Sequence, residues 1–120
     1  MRIISEDDLR EFTDANGDKL ITLKKARKKD WDDYMALVLR YVEAGDPTDL
    51  KSVKFKEGFN PAELTRFMFH RVARKMIISG TEYTGDAMLK IYEQLDPESA
   101  DWVDRCIAEV WERPDEKNLP

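Results

Sequence analysis

Apolar positions along this chain follow two different spacings. Around Asp14-Ala15-Asn16-Gly17-Asp18 the pattern is that of a turn, because Asn16-Gly17 favours positive φ. Leu20-Ile21-Thr22-Leu23 follows and suits a short strand. A hairpin with Phe12 and Thr13 on its first arm is the expected form. An isolated hairpin is marginal in water, so it must lie against helices or another chain.

From Trp31 the spacing becomes helical. Tyr34, Leu37, Val38, Tyr41 and Val42 follow the i, i+3, i+4, i+7 rule, with Met35 and Leu39 widening the stripe. Asp30 reads as the N-cap, with Asp33 at the third helical position favouring the dipole. The helix should run from Trp31 to Glu43, and Gly45 and Pro47 should end it. Residues 46–59 read as a connector in which Val53 and Phe55 alternate with lysines, a pattern open to a short edge strand. Asn60-Pro61-Ala62-Glu63 is the clearest helix start in the chain. That helix is expected to reach Ser79, with Gly80 as its stop. Leu64, Phe67, Met68, Val72 and Met76 would form one apolar face and Phe69, Ala73 and Ile77 a second, which predicts a central helix. A third helix should cover Gly85 to Leu95. A fourth should follow the cap-and-proline signal Asp96-Pro97-Glu98-Ser99 and carry Trp102, Val103, Cys106, Ile107, Val110 and Trp111, with Pro114 as its stop.

The predicted fold is therefore mainly α: a compact four-helix domain with a short N-terminal β-hairpin. Residues 1–120 read as one domain, with 1–29 as hairpin and basic connector, 30–114 as helical core and 115–120 as a frayed tail.

Composition sharpens this picture. Charged residues reach 38%, but 42% of the chain is hydrophobic and periodic, which predicts a folded domain under a charged surface rather than a disordered chain. The single cysteine, Cys106, cannot close an internal disulfide and suits a reducing compartment. No apolar run approaches a membrane span, and the acidic start around Glu6, Asp7 and Asp8 has no signal-peptide core, so a cytosolic protein is expected. Charge is unevenly spread. Residues 1–50 hold 9 basic and 12 acidic side chains, residues 51–80 hold 7 and 2, and residues 81–120 hold 4 and 11. Such segments can screen one another or form an electrostatically steered binding face.

Candidate chemistry is sparse. Asp14 to Lys25 resembles an EF-hand loop, with Asp14, Asn16 and Asp18 at its first, third and fifth positions. Lys19 stands where the sharp turn wants glycine, and Lys25 where a bidentate glutamate should close the shell, so a plain polar turn is expected. Lys24-Lys25-Ala26-Arg27-Lys28-Lys29 is the densest basic run, but it lacks the interleaved aromatics of a base-stacking surface. His70 is the only histidine and has no evident nucleophile beside it. Cys106 reads as a small core residue. One histidine and one cysteine are too few for a local zinc site, and no phosphate loop or nucleophile elbow is present. No cofactor is expected. Trp102 and Trp111 lie about 180° apart on one helix, so they cannot both face a single core line. Either helices on two sides cover both, or one of them anchors a partner.

The segment from Phe12 to Leu23, followed by the Asp30-Trp31 helix start, resembles the opening of tail assembly chaperones of long-tailed bacteriophages, whose short β element leads into a compact helical domain of similar size. The Asp96-Pro97-Glu98 helix and its Trp111-Glu112 ending are compatible with that layout. The resemblance implies a non-enzymatic phage protein that binds the tape measure protein in the host cytoplasm, often with self-association. Partner-binding residues expected from the aromatic surplus and basic patches are Trp31, Tyr34, Trp102, Trp111, Lys24, Lys25, Arg66 and Arg74. The competing expectation is a small nucleic-acid-associated or regulatory protein using Lys24 to Lys29 together with Arg66, Arg71, Arg74 and Lys75.

Overall fold

The computed structural model describes residues 1–46, 49 and 51–112. In chain order the elements are β1 (Leu9–Thr13), β2 (Lys19–Leu23), α1 (Lys28–Tyr41), β3 (Val42–Ala44), β4 (Lys54–Phe55), α2 (Ala62–Val72), β5 (Ala73–Ile78), β6 (Thr81–Tyr83), α3 (Gly85–Gln94) and α4 (Pro97–Val110). The chain is thus mixed α/β, which corrects the expectation of a mainly α domain. Four strands form one antiparallel sheet in the order β1-β2-β5-β6, and β3 and β4 pair separately.

The hairpin is where the Asn16-Gly17 signal put it, with Phe12 opposite Leu20 and Thr13 opposite Lys19. Gly17 takes a φ of 83°, and the Asp14 carboxylate accepts the amides of Asn16 and Asp18, both at 2.9 Å. The main error lies in α2. The expected helix to Ser79 stops at Val72, and Ala73–Ile78 pair with β2, with Leu20 opposite Met76. Ser79 and Gly80 are a hairpin turn, not a helix stop. Both have positive φ, 52° and 81°, as a type I′ turn requires. Pairing β5 on both edges satisfies its amides and carbonyls and buries Met76, which outweighs the helical preference of Arg74, Lys75 and Met76.

Cross-strand register divides the sheet into two faces. Phe12, Leu20, Met76 and Tyr83 form one row on the inner face, where Leu20 and Met76 are buried. Glu11, Ile21 and Lys75 form a row on the outer face, beside Thr13, Lys19, Ile77 and Glu82. Salt bridges Lys19–Glu11 at 3.4 Å and Lys75–Glu82 at 3.5 Å lie on that outer face. All four helices join one core with the inner face: α4 contacts β2, α3 contacts β5 and β6, and α2 packs on α1 and α4. Phe69, Leu20, Leu23 and Ile107 are among its largest fully buried side chains. Each such side chain stabilises the fold by roughly 2–3 kcal/mol relative to exposure.

Helix ends differ in detail from the pattern reading. Helix α1 begins three residues before Trp31, with Arg27 as N-cap, and Asp30 is the third helical residue rather than the cap. Its carboxylate still serves the start by accepting the Arg27 amide at 2.9 Å. Asn60 accepts the Ala62 amide at 3.0 Å, but the N-cap of α2 falls on Pro61 rather than on Asn60, and Asp96 stands at the N-cap of α4 with Pro97 in the first turn, as its motif predicts. Both α1 and α2 pass into strands without a loop, since Val42 and Ala73 are already extended. The edge strand suggested by Val53 and Phe55 exists as β4. The predicted stop at Pro114 and the tail 115–120 lie outside the described residues, as does Pro47.

Candidate functional site

The aromatic residues expected to meet a partner mostly meet each other. Trp111 is buried, with its ring 5.1 Å from Trp31 and 5.5 Å from Tyr34, and Phe67 closes the cluster at 6.1 Å from Tyr34. Tyr34 is buried too, and burial raises its phenol pKa. Tyr34 and Trp111 are therefore core, contrary to their expected place in a binding surface. Trp31 is half-buried at the rim of this cluster. Trp102 is half-buried on the other side of α4 and lines a crevice near the β1–β2 turn. Helices on two sides do cover Trp111, while Trp102 keeps one side open.

The basic candidates also separate. Arg74 is held by Glu6 through two contacts of 2.8 and 3.1 Å and by the carbonyls of Arg71 and Ala73. Arg27 donates to the Ile4 carbonyl at 2.7 Å and reaches Glu6 at 3.3 Å. These two arginines strap residues 4–6 onto the fold. The Arg74 hydrogen bond, with lesser help from the charges of Arg74 and Arg27, holds the Glu6 carboxyl below its ordinary pKa. Arg71 spans Asp30 and Asp33 and lies over the Phe67 ring at 4.9 Å, so α2 is clamped to α1. Lys28 and Lys29 pair with Asp32 and Asp33 one turn on, at 2.7 and 2.9 Å. Only Lys24 and Lys25 of the basic run are exposed with no carboxylate within 4.0 Å among the described residues. Arg66 is exposed and pairs loosely with Glu93 at 3.5 Å.

The groups with reactive potential are dispersed. Cys106 is buried, and desolvation, with a lesser push from Glu109, raises its thiol pKa to about 11. His70 is exposed on α2. Tyr92 stacks on Phe69 at 4.1 Å and donates to Asp104 at 2.6 Å, and burial raises its pKa strongly. No group of three or more potential metal ligands converges among the described residues. In the EF-hand-like segment, Oδ1 of Asp14 accepts the turn's own amides.

A concave apolar surface does exist, and pattern reading missed it. Leu37 of α1, Phe67 of α2 and Leu89 of α3 line a groove of about 300 Å³, flanked by Glu63, Arg66 and His70. All three apolar side chains are only partly buried. Leu37 and Phe67 belong to the apolar stripes of their helices, and nothing in the sequence marks which residues of such a stripe lie at the margin of the core. No described helix is long and apolar enough to cross a membrane. No family model, curated protein or solved structure matches the chain.

Proposed function

We propose that this chain is a non-enzymatic assembly protein that holds an amphipathic helical segment of a partner. The observation that carries this reading is the groove itself. Three half-buried apolar side chains from three different helices line one concavity together with Glu63, Arg66 and His70. Such a concavity suits apolar residues at i, i+3, i+4 and i+7 of an incoming helix. Covering it would gain roughly 25 cal/mol per Å² of apolar surface removed from water. The resemblance to tail assembly chaperones supplies the partner class: helical stretches of a tape measure protein, bound in the host cytoplasm before tail assembly. Binding of this kind needs no cofactor.

The test is co-expression with helical segments of a tape measure protein, followed by pull-down of the wild type and of Leu37→Asp and Leu89→Asp. Capture by the wild type, reduced at least tenfold in both variants, is the expected result. Absence of capture at low and moderate salt, or equal capture by all three proteins, defeats the proposal.

A second reading, nucleic-acid binding, draws on the free ammonium groups of Lys24 and Lys25. The pairing of Lys28 and Lys29 with aspartates halves that patch and weakens the case. Reversing Lys24, Lys25 and Lys28 to glutamate should abolish a salt-sensitive gel shift if this reading holds.

A further inference from the structure

Strand β1 forms one outer edge of the main sheet, and the outer side of its backbone is unpaired. Two main-chain hydrogen bonds bracket its ladder with β2. The Asp14 amide donates to the Asp18 carbonyl at 2.9 Å, and the Lys24 amide donates to the Asp8 carbonyl at 2.7 Å. Even-numbered residues therefore bond to β2, while Leu9, Glu11 and Thr13 turn their amides and carbonyls away from it. No main-chain partner meets those outward groups among the described residues. The opposite edge, β6, is three residues long, and its pairing with β5 turns only Glu82 outward.

Edge strands are commonly kept from pairing by proline, by a bulge or by uncompensated charge. Strand β1 has no proline, and its register with β2 is unbroken. Its two charged side chains are already engaged inside the molecule, Arg10 with Glu109 at 2.6 Å and Glu11 with Lys19 at 3.4 Å. Phe12 lies on the inner face between them, partly buried against the core. The edge is thus long, regular and unguarded.

We propose that two copies of this chain pair antiparallel through β1, joining their two four-stranded sheets into one. The strand's own sequence selects the second copy as occupant and fixes the register. A two-fold axis at Phe12 sets the two Phe12 residues opposite each other, Glu11 opposite Thr13 of the second copy, and Arg10 opposite its Asp14. Opposite charges then face each other on both sides of the axis, and two aromatic rings meet at its centre beside the cores they already pack against. The outward groups of Glu11 and Thr13 exchange both of their hydrogen bonds, once on each side of the axis. Neighbouring registers are worse. An axis at Glu11 opposes two glutamates, an axis at Arg10 opposes two arginines, and an axis at Leu9 sets Glu11 against Asp7. An axis at Thr13 sets strand residues against the Asp14–Asn16 turn.

The test is sedimentation equilibrium of the full chain over a concentration series, which should show a monomer–dimer equilibrium. Glu11→Pro removes one outward amide where an edge strand tolerates proline, and should weaken the dimer at least tenfold. Register is read separately. A mixture of Glu11→Cys and Thr13→Cys proteins, treated with a short thiol-to-thiol cross-linker, should couple as the mixed pair several-fold faster than either protein alone. These two variants leave the backbone intact, so their result stands whether or not the proline variant folds. A wild type that stays monomeric throughout the series overturns the proposal. So does a dimer that a folded Glu11→Pro variant leaves unweakened, or one in which the unmixed proteins cross-link as fast as the mixture.

Discussion

The indole nitrogen of Trp111, just past the end of α4, donates a 3.1 Å hydrogen bond to the main-chain oxygen of Met68 in α2. The same ring fills the aromatic cluster with Trp31, Tyr34 and Phe67. Trp111→Phe keeps most of the packing and loses the bond, so a cost of about 1 kcal/mol is expected. Trp111→Ala also leaves a cavity and should cost about 3–5 kcal/mol. Urea unfolding should rank wild type, phenylalanine and alanine in that order. An unchanged midpoint for the alanine variant would show that the ring is not part of the core.

Arg71 is the link between α1 and α2, and its loss leaves the buried Asp30 without its cation. Arg71→Met should destabilise by about 2 kcal/mol, between the values typical of surface and buried pairs, because the guanidinium is partly exposed. Calorimetric melting of this variant beside wild type provides the check. A melting temperature unchanged by the substitution would rule out a clamp at this site.

Acid should loosen the strapped segment and the α1–α2 clamp together. Hydrogen bonds from Arg74 to Glu6, and from Lys29 and then Arg71 to Asp33, hold both carboxyls below their ordinary pKa values. A carboxyl lowered by folding contributes stability above its unfolded pKa, and that contribution is lost as pH falls through its folded value. The stability gap between wild type and Glu6→Gln should therefore be present at pH 7 and shrink below about pH 4. Denaturant titrations at pH 7, 5 and 3 decide this. A gap that grows on acidification has the wrong sign for the proposed linkage.

Two glycines should respond differently to alanine. Gly45 has a φ of 102°, and a Cβ there would collide with the Ser52 carbonyl oxygen, so Gly45→Ala must displace the β3–β4 ribbon. Gly80 has a φ of 81° but open space around it, so Gly80→Ala should cost only the left-handed backbone penalty of about 1–2 kcal/mol. Amide exchange should show lost protection at Val42–Ala44 in the first variant alone. Equal behaviour of the two would contradict the close approach at Gly45.

Cys106 should resist modification in the folded protein. A thiol with a pKa near 11 is thiolate to about one part in a thousand at pH 8, and burial adds a steric barrier. Iodoacetamide should label it far more slowly than it labels the urea-unfolded chain. Matching rates in both states would place the side chain at the surface.

Local chemistry made some elements readable. Asn16-Gly17 marked the hairpin because Gly17 supplies the positive φ of its loop while Asp14 accepts the loop amides, and Asp96-Pro97 marked the start of α4 because proline needs no amide partner in a first helical turn. The span Val72–Ile78 misled because its apolar residues satisfy helical spacing as well as strand pairing. Phe69 and Ile77, read as one helical face, belong to two elements. The Ser79-Gly80 turn flanked by Ile77, Ile78, Thr81 and Tyr83 was the overlooked signal. Sites were less legible than strands. Trp111 and Trp102 look alike in the sequence, yet α2 closes over one while the other borders a crevice. That distinction is set by tertiary packing, as is the convergence of Leu37, Phe67 and Leu89 from three helices.

Helix α2 continues into strand β5 without an intervening hinge, since Val72 and Ala73 are consecutive. Phe67 of the groove and Met76 of the sheet's inner face therefore lie on one stretch of backbone with no loop between them. A shift of α2 would therefore have to be absorbed at the Val72–Ala73 junction or in the pairing of β5 with β2.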